Sequence, residues 1–346
     1  MEHLSLFESI GLHDRPAVGG KGGSLGELWR AGIAVPPGFV VRTSAFELFL
    51  ASLDADGSLR ARVEALDPDD LDAVTRCSRE VRAAWEAQPL PAALAAELAT
   101  AHEALSREGN HAVAVRSSAT TEDAADASFA GLQDTYLWVL GREAMLESVR
   151  RCWASLYSVE SICYRRRRGF PESGVAMAVV VQAMVDARTA GVMFTRSPTT
   201  GDRSVITLEG AWGLGSSVVS GEVTPDRWVM GKITGEISVR DISDKAIRHA
   251  PLATGGTATL PVDEAERRIP CLSDQELQAL RAIGRAVEKH YGCPQDIEWA
   301  VDRVSGRVLL LQSRPETVWS ARDAAPVAKG ASHALDHVMA VFGGRR

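Results

Sequence analysis

Apolar residues recur along the chain at two spacings, three-to-four and two, and the alternation between them predicts the order of elements. Residues 1–44 read as loop, helix and strand: Gly19-Gly20-Lys21-Gly22-Gly23 opens a helix through Leu25, Leu28 and Trp29, and Val35-Pro36-Pro37-Gly38 leads into a Phe39-Val40-Val41 strand. From Ser44 to about Arg107 the chain is rich in Ala, Leu, Glu and Arg with apolar spacing of three and four, a helical cluster in which no chemistry is visible. His111–Val115 is a short strand that ends at Arg116-Ser117-Ser118-Ala119-Thr120, followed by a polar loop. Residues 142–168 read as helix, and Val175–Val185 and Thr189–Thr195 as two strongly apolar strands. Then come a Val205–Glu209 strand, a glycine-rich loop over Gly210–Gly221, alternating strands through 226–241 and an amphipathic helix over 273–291. The last unit is a hairpin, Asp296–Val301 with Arg307–Gln312, joined by Asp302–Gly306.

Composition narrows what such a chain does. Its 346 residues suffice for about two domains, and its net charge of −7 disfavours a nucleic-acid platform, because an acidic surface repels phosphate backbone. The one basic run, Arg165–Arg168, reads as the solvated end of a helix. No apolar stretch approaches the ~20 residues of a membrane span, and no basic-then-apolar leader is visible, so a cytoplasmic protein is expected. The five cysteines are scattered without a CxxC pair, which points to buried reduced thiols and away from a structural zinc site or disulfide framework.

Only five of the 38 basic residues are lysines, so Lys21 between two glycine pairs carries information. Amides, helix dipole and ammonium there would jointly favour a phosphate, although an ordinary exposed turn fits the same residues. It is not a Walker loop, because Arg15 and Gly22 stand where that pattern needs Gly and Ser or Thr. Arg116, at a strand end with hydroxyl residues after it, suits bidentate anion binding or a salt bridge with Glu122 or Asp123. In the final hairpin Glu298 and Gln312 can lie side by side on one face, where burial is costly for a carboxylate without a cation. Mg²⁺ suits that pair, since it takes one or two protein oxygens together with waters and phosphates, and Arg314 would then face a transferring phosphoryl group. A cross-strand hydrogen bond with Arg314 paired to Glu298 fits equally. Gly213-x-Gly215 lacks the third glycine of a dinucleotide fingerprint, Val218 standing in its place. His333 and His337 read as a solvated helix face, and His249 and His290 lie outside every motif.

Four motifs stand together in the order of a known family. They are Gly20-Lys21-Gly22-Gly23-Ser24-Leu25-Gly26-Glu27; Val115–Thr120 with Ser128-Phe129-Ala130-Gly131; Gly191–Pro198; and Asp296-Ile297-Glu298-Trp299 with Leu311–Thr317. Over about residues 10–318 the chain resembles the N-terminal nucleotide-binding domain of phosphoenolpyruvate synthase, pyruvate phosphate dikinase and rifampin phosphotransferase. The resemblance implies an α+β, ATP-grasp-like fold with ATP between two lobes: residues 1–185, residues 186–319 carrying the metal-binding hairpin, and a flexible tail over 320–346. It implies that Gln182, Ala183, Met184 and Val185 line the adenine pocket, that Lys21 and Arg116 contact phosphates, and that Gly131 and Thr135 belong to a lid over them. Glu298 and Gln312 match the family's Mg²⁺ ligands, Arg314 its catalytic arginine, and Glu209 a ribose contact. Ser216 departs from the family, where an acidic residue often follows that loop.

The resemblance further implies a dikinase-type phosphotransferase that splits ATP to AMP and phosphate through a histidine. The family carries that histidine on a swivelling domain, of which this sequence shows only the weak echo Gly330-Ala331-Ser332-His333-Ala334. The expectation is therefore an ATP-binding part working with a phosphohistidine-bearing domain or partner chain, as in systems resembling phenylphosphate synthase, and with a small-molecule acceptor bound elsewhere. The rivals are a rifampin phosphotransferase-like enzyme and a nucleotide-sensing module, the latter disfavoured by the presence of Glu298, Gln312 and Arg314.

Overall fold

The structure is a computed structural model that describes residues 2–107, 111–119 and 134–319. Strand β1 (Leu4–Leu6), helix α1 (Arg15–Arg30) and β2 (Gly38–Val41) open the chain. Helices α2 (Thr43–Leu53), α3 (Ser58–Glu64), α4 (Leu71–Ala87) and α5 (Ala92–Arg107) follow, then β3 (Ala112–Ala119) and β4 (Thr135–Leu140). After α6 (Arg142–Ala154) and α7 (Val159–Arg168) come β5 (Met177–Ala183), β6 (Ala187–Phe194) and β7 (Val205–Trp212). The chain continues through α8 (Ser216–Val219), β8 (Asp226–Gly231), β9 (Ile237–Asp241), β10 (Ile247–Pro251) and β11 (Thr257–Pro261). Helix α9 (Asp274–Tyr291) and the hairpin β12 (Gln295–Asp302) and β13 (Val308–Pro315) close it.

The strands form two larger antiparallel sheets, ordered β1-β2-β5-β3-β4 and β13-β12-β6-β7-β8-β9, and a separate β10-β11 ribbon. Period-two alternation assigns the faces of the first sheet. Val179 and Val181 of β5, with Phe39 and Val41 of β2, face the core made with α2–α7, whereas Ala178, Val180 and Val40 face a second core. Covered on both sides, β5 is buried at every position. Phe46, Phe49, Trp85, Trp153 and Tyr157 pack ring against ring in the helical core, with Phe49 and Trp85 centroids 5.2 Å apart. The second core draws on both sheets, because Val18, Leu25 and Leu28 of α1 meet Met193, Leu208, Trp299 and Leu310. Helix α1 thus lies between the sheets, against β3, β5 and β13.

The glycine segment differs from its expected loop. Helix already begins at Arg15 and breaks at Gly19 (φ 70°, ψ 177°), where a Cβ would stand 2.0 Å from the Ser118 carbonyl oxygen. That close approach lets Ser118 Oγ accept from the Gly22 amide (3.1 Å) while donating to the Val18 carbonyl (2.9 Å), bridging the break. The 142–168 helix is interrupted at residues 155–158, and β7 runs on to Trp212, so the glycine loop starts later than residue 210. The arginine run does end a helix, but Arg165 is buried against Glu172, the Leu156 carbonyl and Ser161 rather than solvated. Four cysteines are buried and Cys293 is half-buried, and all five are free thiols. The ribbon β10-β11 and strand β1 had no sequence-based counterpart. Among the described residues no helix is long and apolar enough to cross a membrane.

Candidate functional site

A cavity of about 720 Å³ lies between the two sheets. Its walls follow from strand register. Across the second sheet Glu209 of β7, Val192 of β6, Glu298 of β12 and Gln312 of β13 form one lateral row, and Thr207, Phe194, Asp296 and Arg314 form the next. Alternation turns Asp296, Glu298 and Ala300 toward the cavity and Ile297, Trp299 and Val301 into the core behind it. Gly191 of β6 is required where these strands crowd, since a Cβ there would meet the Glu209 carbonyl oxygen at 1.9 Å.

The opposite wall comes from the first sheet and α1. Ala114 and Arg116 of β3 point into the cavity with Gln182 of β5, and Lys21 enters from the first turn beyond the Gly19 break. Arg116 crosses the gap: one Nη2 donates to Glu298 Oε2 at 3.0 Å and to Gln312 Oε1 at 2.5 Å, and Nη1 donates to the Leu311 carbonyl at 3.2 Å. A register shift between Glu298 and Trp299 leaves Leu311 unpaired with β12 and its carbonyl available for that bond. The cross-strand pairing of Glu298 with Arg314 is not the one found, since Glu298 pairs with Arg116. Arg314 instead lies 3.4 Å from Asp296, and half of its side chain is exposed. Burial pushes the Asp296 carboxyl up to about 6; Arg314 opposes this and Glu316 adds to it.

The far end of the cavity is apolar. Val185, Ala187, Ala190, Leu214 and Ala300 cluster there with Met184 and Leu311, beside the Met184–Asp186 segment that joins β5 to β6. The Ala183 amide donates to Pro37 O (2.8 Å) and the Met184 amide to Ala112 O (2.9 Å), which holds this segment rigidly against the first sheet.

Lys21, Arg116, Thr135, Gln182, Ala183, Met184, Val185, Glu209, Glu298, Gln312 and Arg314 therefore all line one cavity. Gly131 lies outside the described residues, as do Glu122, Asp123, His333 and His337. Two participants were missed. Asp296 was legible as the i−2 neighbour of Glu298 on one strand face, whereas Ser216 was noted only as a departure from the family pattern and the His249 behind it lay outside every motif. Gly213-x-Gly215 has a packing explanation: Gly213 (φ 77°) would place a Cβ 2.3 Å from the His249 carbonyl oxygen, so its absence lets the β10-β11 ribbon dock.

An apolar pocket at a sheet-to-sheet connection thus leads to a row of charged and amide side chains in a mixed α+β protein. The chain is a member of the family described as pyruvate phosphate dikinase, AMP/ATP-binding domain, whose pattern matches residues 15–334. It is 42% identical to a probable phosphoenolpyruvate synthase of Methanothermobacter thermautotrophicus, over 92% of this chain and 46% of that protein. It is 44% identical to a rifampicin phosphotransferase of a Streptomyces species, over 87% of this chain and 34% of that protein. Against the phosphoenolpyruvate synthase of Pyrococcus furiosus the identity is 37%, over 91% and 44%. The chain thus spans less than half the length of these relatives. D-alanyl-alanine synthetase A of Vibrio cholerae superposes with a TM-score of 0.27 at 12% identity, covering 64% of this chain and 46% of that one, a likeness too low to bear on the site.

Proposed function

We propose that this chain is the ATP-binding part of a dikinase-type phosphotransferase, with residues 1–185 and 186–319 acting as two lobes that close on Mg²⁺-ATP. The observation that carries the reading is the lateral row of Glu209, Glu298 and Gln312 facing Lys21 and Arg116 across one cavity, with Arg314 in the adjacent row. The apolar end by Met184 and Val185 suits adenine, and the three cations suit a triphosphate. Arg116 Nε is buried without a hydrogen-bond partner among the described residues, a donor position that a phosphate oxygen would satisfy.

The donor set fits magnesium. Glu298 and Gln312 are register neighbours that offer a carboxylate and an amide oxygen, and Arg116 occupies one carboxylate oxygen and one amide lone pair, leaving others for a small hard cation. Bound there, Mg²⁺ would neutralise charge on the phosphates. The protein's own work is positioning and charge stabilisation: Lys21 and Arg116 orient the phosphates, and Arg314 faces the charge that develops on the transferred group. No side chain that lines the cavity among the described residues is a histidine. In this reading ATP, water and a histidine on another domain or partner chain yield AMP, phosphate and a phosphohistidine, which then serves a small-molecule acceptor.

Calorimetry tests the metal assignment. Glu298→Ala should weaken ATP binding far more with Mg²⁺ than without, and an equal loss in both conditions would sink it. AMP formation tests the division of labour: the chain alone should form AMP slowly until a histidine-bearing partner is added. Rapid AMP formation by the chain alone, abolished in a His333→Ala/His337→Ala variant, would make the tail the phosphate carrier instead. The 44% identity to a rifampicin phosphotransferase favours one second reading, in which the final acceptor is an antibiotic of that class.

A further inference from the structure

Ser216, which follows the Trp212–Gly215 turn, heads a chain of three polar side chains behind the cavity wall. Its Oγ lies 2.7 Å from His249 Nδ1, and His249 Nε2 lies 3.1 Å from Glu222 Oε2. Glu222 is itself held by Ser220, whose hydroxyl donates to Oε1 at 2.9 Å. His249 is fixed by backbone as well: its carbonyl accepts from the Leu214 amide at 2.9 Å, in the space that Gly213 leaves open.

Hydrogen-bond capacity sets the direction of the chain. Bonds from Ser220 and His249 hold the Glu222 carboxyl below its ordinary range, so it is an ionised, acceptor-only group. A neutral His249 that turns its Nε2 proton toward Glu222 has Nδ1 as acceptor. The Ser216 hydroxyl then donates to Nδ1, which leaves its oxygen lone pairs for the cavity that Ser216 lines.

Position selects the partner. A Cβ on Gly215, next to Ser216, would lie 3.5 Å from Ala190 Cβ and 3.8 Å from the Gly191 amide nitrogen. Ala190 belongs to the apolar end, and Gly191 lies under the Glu209 carbonyl oxygen in the charged row. Ser216 thus stands where the apolar end meets the charged row, the place a nucleotide spanning both would put its sugar. We propose that Ser216, oriented by His249 and Glu222, is a specificity-determining residue that accepts a hydrogen bond from a ribose hydroxyl of the bound nucleotide. The assignment rests on the ATP-binding reading above.

The test is calorimetry of the full chain with Mg²⁺ and ATP, 2′-deoxy-ATP and 3′-deoxy-ATP, for the wild type and Ser216→Ala. The wild type should bind ATP about 3- to 10-fold more tightly than one of the deoxynucleotides, the range of one neutral hydrogen bond. Ser216→Ala should erase that ratio by weakening ATP while leaving the deoxynucleotide affinity unchanged, which a general loosening of the fold would not do. His249→Phe, which frees the hydroxyl to rotate, should reduce the ratio in the same direction. Equal wild-type affinity for all three nucleotides, or a ratio that survives Ser216→Ala, overturns the proposal. Failure of ATP itself to bind overturns the nucleotide reading and the assignment with it.

Discussion

Asp296→Asn removes a carboxyl that the fold holds under strain, and its effect has a calculable size and sign. Burial raises this group from 3.8 to about 6, which corresponds to roughly 3 kcal/mol of preference for the neutral form. Between those two values the native protein keeps the proton and the unfolded chain loses it, so the native state is progressively disfavoured as pH rises. The contribution is fully present below about 3.8 and is lost as pH climbs through about 6. Asparagine does not titrate and carries no such penalty. The pull of the Arg314 guanidinium is already contained in that net rise. The variant should therefore be about 3 kcal/mol more stable than the wild type near pH 8, with the difference shrinking toward zero near pH 4. Urea unfolding of both proteins across that range measures it, and effects of groups remote from Asp296 cancel in the difference. A gap that does not change with pH, or a variant less stable near pH 8, would refute the reasoning.

Two further substitutions probe the scaffold under the site. Gly191→Ala drives a methyl group onto the Glu209 carbonyl oxygen at 1.9 Å, so the β6–β7 pair must part; an overpacking loss of about 3 kcal/mol is expected in denaturant unfolding, and an unchanged midpoint would show that the strands yield freely. Lys245 and Asp226 form a fully buried pair at 2.6 Å, in which Asp226 also accepts from the Ser243 and Cys271 amides. Lys245→Ala strands that carboxylate and should cost about 3–5 kcal/mol, whereas Lys245→Met with Asp226→Asn removes the charge but keeps one acceptor oxygen for two amides and should recover only part of it; a double variant as unstable as the single one would contradict the charge argument.

What the sequence by itself determined is local. Spacing of three and four placed the helices, and Ser273 with Glu276 marks the start of α9 by bonds within one turn. The hairpin's register, Glu298 opposite Gln312, was legible because a short connection leaves antiparallel strands few alternatives. Period-two alternation had also made Asp296 available beside Glu298. The described residues of the ordered motifs line one cavity, each carried on a short stretch of chain.

Only the tertiary structure decided which groups meet across distance. Arg116 joins Glu298 and Gln312 from 182 and 196 residues away, a choice between partners that no local pattern ranks. Arg314 goes to Asp296 because register sets the two opposite each other, while Arg116 pairs with Glu298. The glycine segment became a broken helix because Ser118, a hundred residues on, satisfies the amide and carbonyl that the break exposes. His249, outside every motif, reached the cavity wall through a ribbon docked on Gly213. Such pairings depend on how sheets stack and on which backbone groups are left unpaired when they do, and those quantities exist only once the whole chain is packed.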